Sequence, residues 1–188
     1  MYQAVGKRIF DIALALVALV LLLPLMLGVA ILIKLYDPGP LIFRQIRVGQ
    51  NRQNFNFYKF RSMPVNTGDI PSDQIGAIKL TWVGRMIRRT NIDELPQLYN
   101  VLLGDMSIVG PRPPIASQTE LVEYRRQNGA LSCRPGLTGL AQVSSFNGMT
   151  VAQKAAFDSA YAKSITFIGD LRIILRTFGY LLSPPPVY

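Results

Sequence analysis

The strongest feature of the hydropathy pattern is an uncharged run from Ile12 to Ile33, 22 residues made mostly of Leu, Val, Ala and Ile. A helix of about 20 apolar residues is long enough to cross the hydrocarbon core of a bilayer. Two details complicate a simple span. Pro24 lies inside the run, where it removes a helical hydrogen bond and collides with the carbonyl of Val20, so a kink is expected. Basic residues stand on both flanks, Lys7 and Arg8 before, Lys34, Arg44 and Arg47 after. A spanning helix usually carries its Lys/Arg excess on the cytoplasmic side alone. The pattern therefore leaves two readings open, a helical hairpin that enters and leaves by one face and an ordinary span with a mild kink. A cleaved signal peptide is disfavoured, because the run is too long and no small-residue cleavage site follows it cleanly.

Beyond the run, Asp37-Pro38-Gly39-Pro40 reads as a stop and a turn. Two short runs, Leu41–Val48 and Phe55–Arg61, mix Ile, Phe, Val and Tyr with Gln, Arg and Lys across Gly49-Gln50-Asn51-Arg52, which predicts a β-hairpin with a loop longer than two residues. Residues 62 to 80 are rich in Gly, Pro, Asp, Ser and Asn and read as a mobile loop. Leu98, Val101 and Leu102 recur at helical spacing, and Gly104 is placed to end that helix. A polar, exposed helix is predicted over 117–128, and another over 157–163. Ile168, Leu171, Leu175, Phe178 and Leu182 share a helical face flanked by Arg172 and Arg176, suited either to a membrane surface or to the core. The Pro184–Pro186 tail reads as an end. The fold class expected is mostly α with a small β-hairpin.

Composition narrows the chemistry. The 188 residues suit one domain with an appendage, the formal charge is +9, and the mean hydropathy is +0.25. A chain both basic and apolar suits an anionic membrane surface better than free nucleic acid, and no nucleic-acid motif or stacking platform is present. There is one cysteine, Cys133, and no histidine. That excludes an intramolecular disulfide and leaves little room for zinc sites, His-assisted nucleophiles or haem ligation; any metal must be oxygen-ligated, as Mg²⁺ or Mn²⁺.

The candidate chemistry centres on Asn91-Ile92-Asp93-Glu94-Leu95-Pro96-Gln97-Leu98. Among eleven carboxylate residues, Asp93-Glu94 is the one adjacent pair. Arg88 and Arg89 precede it by a helical turn. Pro96 is tolerated in the first turn of a helix, so the pair is expected at a helix N-terminus, where the macrodipole favours negative charge and lowers carboxylate pKa. The pair could be simple capping acids, or ionised groups that hold a metal or attack an electrophile. Arg44, Arg47, Arg52, Lys59 and Arg61 fall in a segment with no acid between Asp37 and Asp69, which reads as a solvated basic face or as a site for phosphates and lipid headgroups. Pro111-Arg112-Pro113 fixes one guanidinium on extended backbone, as a rigid linker or as a phosphate contact.

Taken in order, these pieces resemble a family. Lys7-Arg8 with Asp11, Asp37-Pro38-Gly39-Pro40 with Phe43, Gln45, Arg47 and Gly49, Lys59-Phe60-Arg61-Ser62-Met63, Asp93-Glu94-Leu95-Pro96-Gln97-Leu98, Asn100-Val101-Leu102, Gly104-Asp105-Met106-Ser107, Val109-Gly110-Pro111-Arg112-Pro113, Arg134-Pro135-Gly136 with Thr138-Gly139 to Val143, and Asp158, Tyr161 and Asp170-Leu171 are similar to the small monotopic phosphoglycosyl transferases of the bacterial sugar transferase family. The resemblance covers nearly the whole chain. It implies a re-entrant membrane helix in residues 1–36 and a cytosolic, membrane-associated catalytic domain in 37–188, at the cytoplasmic membrane. It implies transfer of a phosphosugar from a UDP-sugar to undecaprenyl phosphate with release of UMP, Asp93 as nucleophile and metal ligand, Glu94 as its partner, and Mg²⁺ as cofactor.

Lys59, Arg61, Arg88 and Arg112 are the candidates for phosphate contact on chemical grounds, and Gln142 joins them as a substrate-binding candidate through the matching segment. Membrane lipids are expected partners, nucleic acid is not, and a homodimer is left open. Two departures stand out: Leu23 precedes the kink proline where family members often have Ser, and Ser144-Ser145-Phe146-Asn147-Gly148 replaces a common Asn-Gly-Arg, so sugar specificity is not carried over. Three rival readings are a non-catalytic scaffold binding anionic lipids, a membrane-tethered nucleic-acid binder, which the lack of any nucleic-acid motif disfavours, and a transferase that acts by single-step displacement.

Overall fold

The computed structural model describes residues 2–65, 80–144 and 148–182. Most of the 62–80 loop, the Ser145–Asn147 part of the departure noted above and the Pro184–Pro186 tail lie outside them. The elements run α1 (Lys7–Tyr36), β1 (Ile42–Val48), β2 (Asn54–Phe60), α2 (Trp82–Arg89), α3 (Gln97–Leu103), β3 (Ser107–Val109), α4 (Thr119–Gln127), β4 (Gly136–Thr138), α5 (Leu140–Ser144), α6 (Val151–Lys163) and α7 (Phe167–Leu182). Mostly helical architecture with an antiparallel β1–β2 hairpin is as expected; Arg47 pairs with Phe55 and Ile42 with Phe60. The hairpin turn, closed by Gly49 N–H to the Gln53 carbonyl at 2.8 Å, holds Asn51 and Arg52 at positive φ.

The apolar run forms one helix, with Pro24 inside it and no turn dividing two halves. It is long and apolar enough to cross a membrane by length and composition. Its residues nonetheless divide by face. Leu14, Ala15, Ala18, Leu19 and Leu22 pack on a cluster that includes Phe55, Phe57, Leu98, Val101, Met106 and Ile108. Met26, Val29, Ala30, Leu32 and Ile33 pack on a second cluster with Phe60, Val83 and Ile87. These positions recur at three- and four-residue steps, one stripe of a helix. Leu16, Val17, Val20, Leu21, Leu23, Leu25, Leu27, Ile31 and Leu35 stand exposed on the other side.

Polar contacts fix the start of α1. Arg8 donates to the carbonyls of Val101 (2.6 Å) and Leu102 (2.9 Å) at the end of α3. Buried Asp11 accepts from Ser107 Oγ (2.8 Å) and Ile108 N–H (3.0 Å). Lys7 meets buried Asp170 of α7 at 2.7 Å, and Tyr161 donates to the same carboxylate at 2.9 Å. The Lys7-Arg8 flank of the apolar run thus reaches into the domain.

A parallel β3–β4 pair, Ser107 beside Gly136 and Val109 beside Thr138, has no counterpart in the sequence reading. It depends on backbone approach: a Cβ on Gly136 would lie 2.1 Å from the Gly110 nitrogen, and one on Gly139 would lie 2.2 Å from the Gly110 carbonyl oxygen. Helix α4 falls within the predicted 117–128 span, but it is not wholly exposed. Leu121, Val122 and Arg125 are buried. On α7 the inward face is Asp170, Ile173, Ile174 and Thr177, whereas Ile168, Leu171, Leu175 and Phe178 are exposed, so that apolar face does not pack on the core.

Candidate active site

The acid pair sits where α2 turns into α3. Asn91 takes a left-handed conformation, φ 54°, which asparagine tolerates better than most residues. Ile92–Glu94 then form one 3₁₀ turn, and Leu95 and Pro96 keep helical angles up to the start of α3. Pro96 has no N–H to place, which is harmless in this opening turn. Gly104 closes α3 at φ 95° in the left-handed region, as expected.

Around the pair, three elements supply cations. Lys59, on β2, places Nζ 2.7 Å from Glu94 Oε1 and 3.7 Å from Asp93 Oδ2. Arg112 forks onto Glu94, with Nη1 donating to Oε2 at 3.1 Å and Nη2 donating to Oε1. Arg88, at the end of α2, acts on Asp93 through its charge. Two carboxylates thus face three cations, an excess suited to an anionic ligand.

Arg112 is itself held from behind. The Arg112 carbonyl accepts from Arg125 Nη1 at 2.8 Å, and Arg125 is paired with Asp158, Nη2 to Oδ2 at 2.6 Å, with both side chains buried. Backbone joins the 113–115 segment to β1, since Val48 N–H donates to the Pro114 carbonyl at 3.0 Å. The extended Pro-Arg-Pro is thus a braced strap, and its one long side chain reaches the dyad.

The two acids differ sharply. Burial pushes Glu94 up, but the charges and hydrogen bonds of Arg112 and Lys59 outweigh it and hold the carboxylate far below its ordinary range. Asp93 moves the other way. Burial pushes it up, Lys59 opposes, and the neighbouring Glu94 charge adds to the rise; Arg88 and Arg112 only partly offset this. The helix-terminus expectation of a lowered pKa is therefore corrected for Asp93, where desolvation outweighs a dipole effect worth at most about 2 kcal/mol. Asp93 has no hydrogen-bonded neighbour on its carboxylate among the described residues, whereas Glu94 is saturated.

Of the other candidates, Arg61 is placed away from the dyad. Its buried guanidinium donates through Nη2 to the Asp37 carbonyl and lies 3.5 Å from the Asp37 carboxylate, tying the end of β2 to the turn after α1. Gln142 lies on α5 with its Oε1 buried and unpaired; a Cβ on Gly139 would lie 3.3 Å from that atom. The structure so groups Asp93, Glu94, Lys59, Arg88 and Arg112, and it joins Arg61 to the turn after α1. The Arg125–Asp158 brace was missed because a lone Arg on a polar helix carries no sequence sign of burial.

The donor set limits any metal. Among the described residues no three His, Cys, Asp or Glu cluster together, and the oxygens of Glu94 are occupied by cations. Within the pair, Asp93 is the acid with free carboxylate oxygen. That fits Mg²⁺, which is commonly held by one or two carboxylates with waters and substrate phosphates completing its shell.

The sequence model of the bacterial sugar transferases matches residues 2–184. This chain belongs to that family. The transferase is 43% identical over 187 residues to the exopolysaccharide production protein PSS of Rhizobium leguminosarum bv. phaseoli, covering 91% of this chain and 92% of that protein. It is 41% identical over 191 residues to a UDP-glucose:undecaprenyl-phosphate glucose-1-phosphate transferase of Caulobacter vibrioides, covering 97% of this chain and 72% of the relative. An undecaprenyl-phosphate galactose phosphotransferase of Salmonella typhimurium is 37% identical over 203 residues, and there the match spans 97% of this chain but 41% of the longer protein.

Proposed function

We propose that this transferase moves a sugar phosphate from a UDP-sugar to undecaprenyl phosphate through a covalent intermediate on Asp93, with release of UMP. The observation that carries the reading is the asymmetry of the dyad: Asp93 is buried and unbonded beside Lys59, while Glu94 is locked by two cations. Glu94, held far below the ordinary carboxylate range by Arg112 and Lys59, is suited to hold those cations rather than to carry a proton. It fixes Lys59 and Arg112 at the mouth of the site, where they face the diphosphate.

In the first step an Asp93 oxygen forms a bond to the sugar-bearing phosphorus, and the bond from that phosphorus to the bridging oxygen breaks, its electron pair leaving with UMP. In the second, an oxygen of undecaprenyl phosphate bonds to the same phosphorus and the Asp93–phosphorus bond breaks, returning the carboxylate. Splitting one displacement into two is the advantage of a covalent route. The repulsion between an anionic nucleophile and an anionic diphosphate is offset by Lys59, Arg88 and Arg112. Bound Mg²⁺, held by Asp93, would add charge neutralisation on the phosphate oxygens.

The setting is a monotopic anchor, residues 1–36, carrying a domain at the cytoplasmic face. Both halves of α1 pack on one body, which favours two ends on the same side of the bilayer. Exposed aromatics stand at both ends, Tyr36 with Trp82 at one and Phe167, edge-on to the half-buried Tyr2 and Phe10, at the other, as suits a headgroup boundary. The exposed apolar face of α7 suits the same boundary. A lipid-borne acceptor cannot leave the membrane, so a shallow anchor delivers the dyad to it.

The test is to incubate the protein with labelled UDP-sugar and look for label on the chain. Wild type is expected to carry label that Asp93→Asn abolishes together with UMP release. A variant that still turns over at the wild-type rate would end the covalent reading, and a wild type that releases UMP without ever carrying label would favour single-step displacement. A lipid-binding scaffold releases no UMP at all.

A further inference from the structure

Gln97 is fully buried, yet neither its Oε1 nor its Nε2 has a hydrogen-bond partner. Buried amides are nearly always paired, and one left unpaired is destabilising. Its position makes the exception informative. Backbone angles stay helical from Ile92 through α3, so Asp93 and Gln97 stand four residues apart on one face, where Cβ atoms lie about 5–6 Å from each other. Helical side chains lean towards the N-terminus, so residue 97 covers the turn that carries Asp93. Two polar groups without hydrogen bonds, one of them the candidate nucleophile, therefore face the same small region.

Resting on the covalent reading above, we infer that Gln97 is a positioning residue for the second displacement: its Nε2–H donates to the Asp93 oxygen that is not bonded to phosphorus. While Asp93 carries the phosphosugar, that oxygen is an uncharged acyl carbonyl. As the lipid phosphate bonds to phosphorus and the Asp93–phosphorus bond breaks, the electron pair leaves onto the carboxylate. The donor then faces a developing anion, and hydrogen bonds to charged acceptors are the stronger kind. The contact thus strengthens along the second step and lowers its barrier. Lys59, held by Glu94 at 2.7 Å and 3.7 Å from Asp93, sits closer to the first acid's partner than to its free oxygen, which leaves this role to the amide.

The experiment uses full-length protein in lipid nanodiscs with whichever of labelled UDP-glucose, UDP-galactose or UDP-N-acetylgalactosamine the wild type turns over fastest. Gln97→Met keeps the length of the side chain and removes its polar atoms. Turnover is expected to fall about 10²-fold, the scale of one lost preorganised donor. Label on the chain at steady state should rise, discharge by added undecaprenyl phosphate should slow, and the melting temperature should hold or increase. Gln97→Glu keeps the shape without the N–H donor and should show the same slowed discharge. Wild-type discharge in either variant would overturn the inference. So would a loss of turnover accompanied by a lower melting temperature and proportionately less label, which is what a merely structural role predicts. If the wild type itself never carries label, the covalent reading fails first and this inference falls with it.

Discussion

Neutralising each acid of the dyad in turn should move stability in opposite directions. In Asp93→Asn, a buried carboxylate with no hydrogen bond and its nearest cation at 3.7 Å becomes a neutral amide of the same shape. Leaving such a group unpaired in the interior is worth about 1–3 kcal/mol, so the variant should be more stable than wild type by up to that amount. In Glu94→Gln, the shared partner of Lys59 and Arg112 is lost. Breaking a buried pair costs about 3–5 kcal/mol, and because the Arg112 side chain is 38% exposed the expectation is discounted below that range, to about 2–3 kcal/mol. For a chain of this size each kcal/mol shifts the melting temperature by about 2–4 °C, so the two variants should be separated by roughly 10 °C at neutral pH.

The pH dependence follows from the direction of each shift. Asp93 is raised in the fold, so its contribution is present below the ordinary Asp value and is lost as pH rises through the raised one. The advantage of Asp93→Asn should therefore vanish in acid and grow towards neutrality. Glu94 is lowered, so its contribution is present above the ordinary Glu value and is lost as pH falls through the folded one. The deficit of Glu94→Gln should be largest at neutral pH and shrink in acid. Thermal unfolding of the three proteins in nanodiscs from about pH 2 to pH 8 measures both, because the Glu94 contribution is lost only below the ordinary Glu value. Shifts of the same sign at neutral pH would refute the assignment of free and locked acid.

Other consequences can be read directly. Gly136→Ala forces a Cβ to within 2.1 Å of the Gly110 nitrogen, and the β3–β4 pair behind the Arg112 strap cannot yield on both sides; loss of folded protein on expression is expected, and a stable, active variant would contradict the crossing. Tags at each end of the chain should share one protease accessibility in sealed vesicles, because both halves of α1 rest on the same body. Opposite-side termini would sink the monotopic anchor.

The sequence disclosed those features whose cause is local. The α1 run, the hairpin, the Gly104 stop and the helices α4 and α7 follow from periodicity, turn residues and φ preference, and the structure has them; α6 was legible only in its second half, since the helix expected over 157–163 begins at Val151 behind a Thr150 cap. The acid pair and the cations Lys59 and Arg112 were also legible, as a lone pair amid a basic chain. What stayed hidden depends on approach between distant segments. Three-residue strands β3 and β4 are too short for an alternating pattern, and their pairing requires glycines 26 and 29 residues from Gly110 to meet it (136 − 110 and 139 − 110). The rise in Asp93 depends on how much of the domain covers it, which the helix-terminus argument does not contain. Arg61 looked like one more phosphate ligand because charge in the sequence carries no direction; in the fold it turns to Asp37.

Those distant approaches also tie the anchor to the chemistry. Helix α3 has seven residues, too few to persist alone, since isolated helices below about 12–15 residues are marginal in water. It is held by others. Asn100 clamps it to β2, accepting from Tyr58 N–H at 3.1 Å and donating to the Asn56 carbonyl at 2.6 Å. Arg8 of α1 caps its last carbonyls, and Arg134 donates to the Gly104 carbonyl at 3.0 Å. The acid pair lies at the opposite end of this short helix. Arg8→Leu removes two charge-assisted hydrogen bonds, each worth about 1.5–3 kcal/mol when made to neutral acceptors by a cation, so a loss of about 3 kcal/mol is expected. The lost stability should appear with a drop in turnover, although Arg8 stands a whole helix away from Asp93. Arg8→Lys, which supplies one donor point in place of a fork, should recover part of both. If Arg8→Leu lowered the melting temperature and left turnover per folded molecule unchanged, α1 would serve as an anchor alone, and the seven-residue helix would hold the dyad without it.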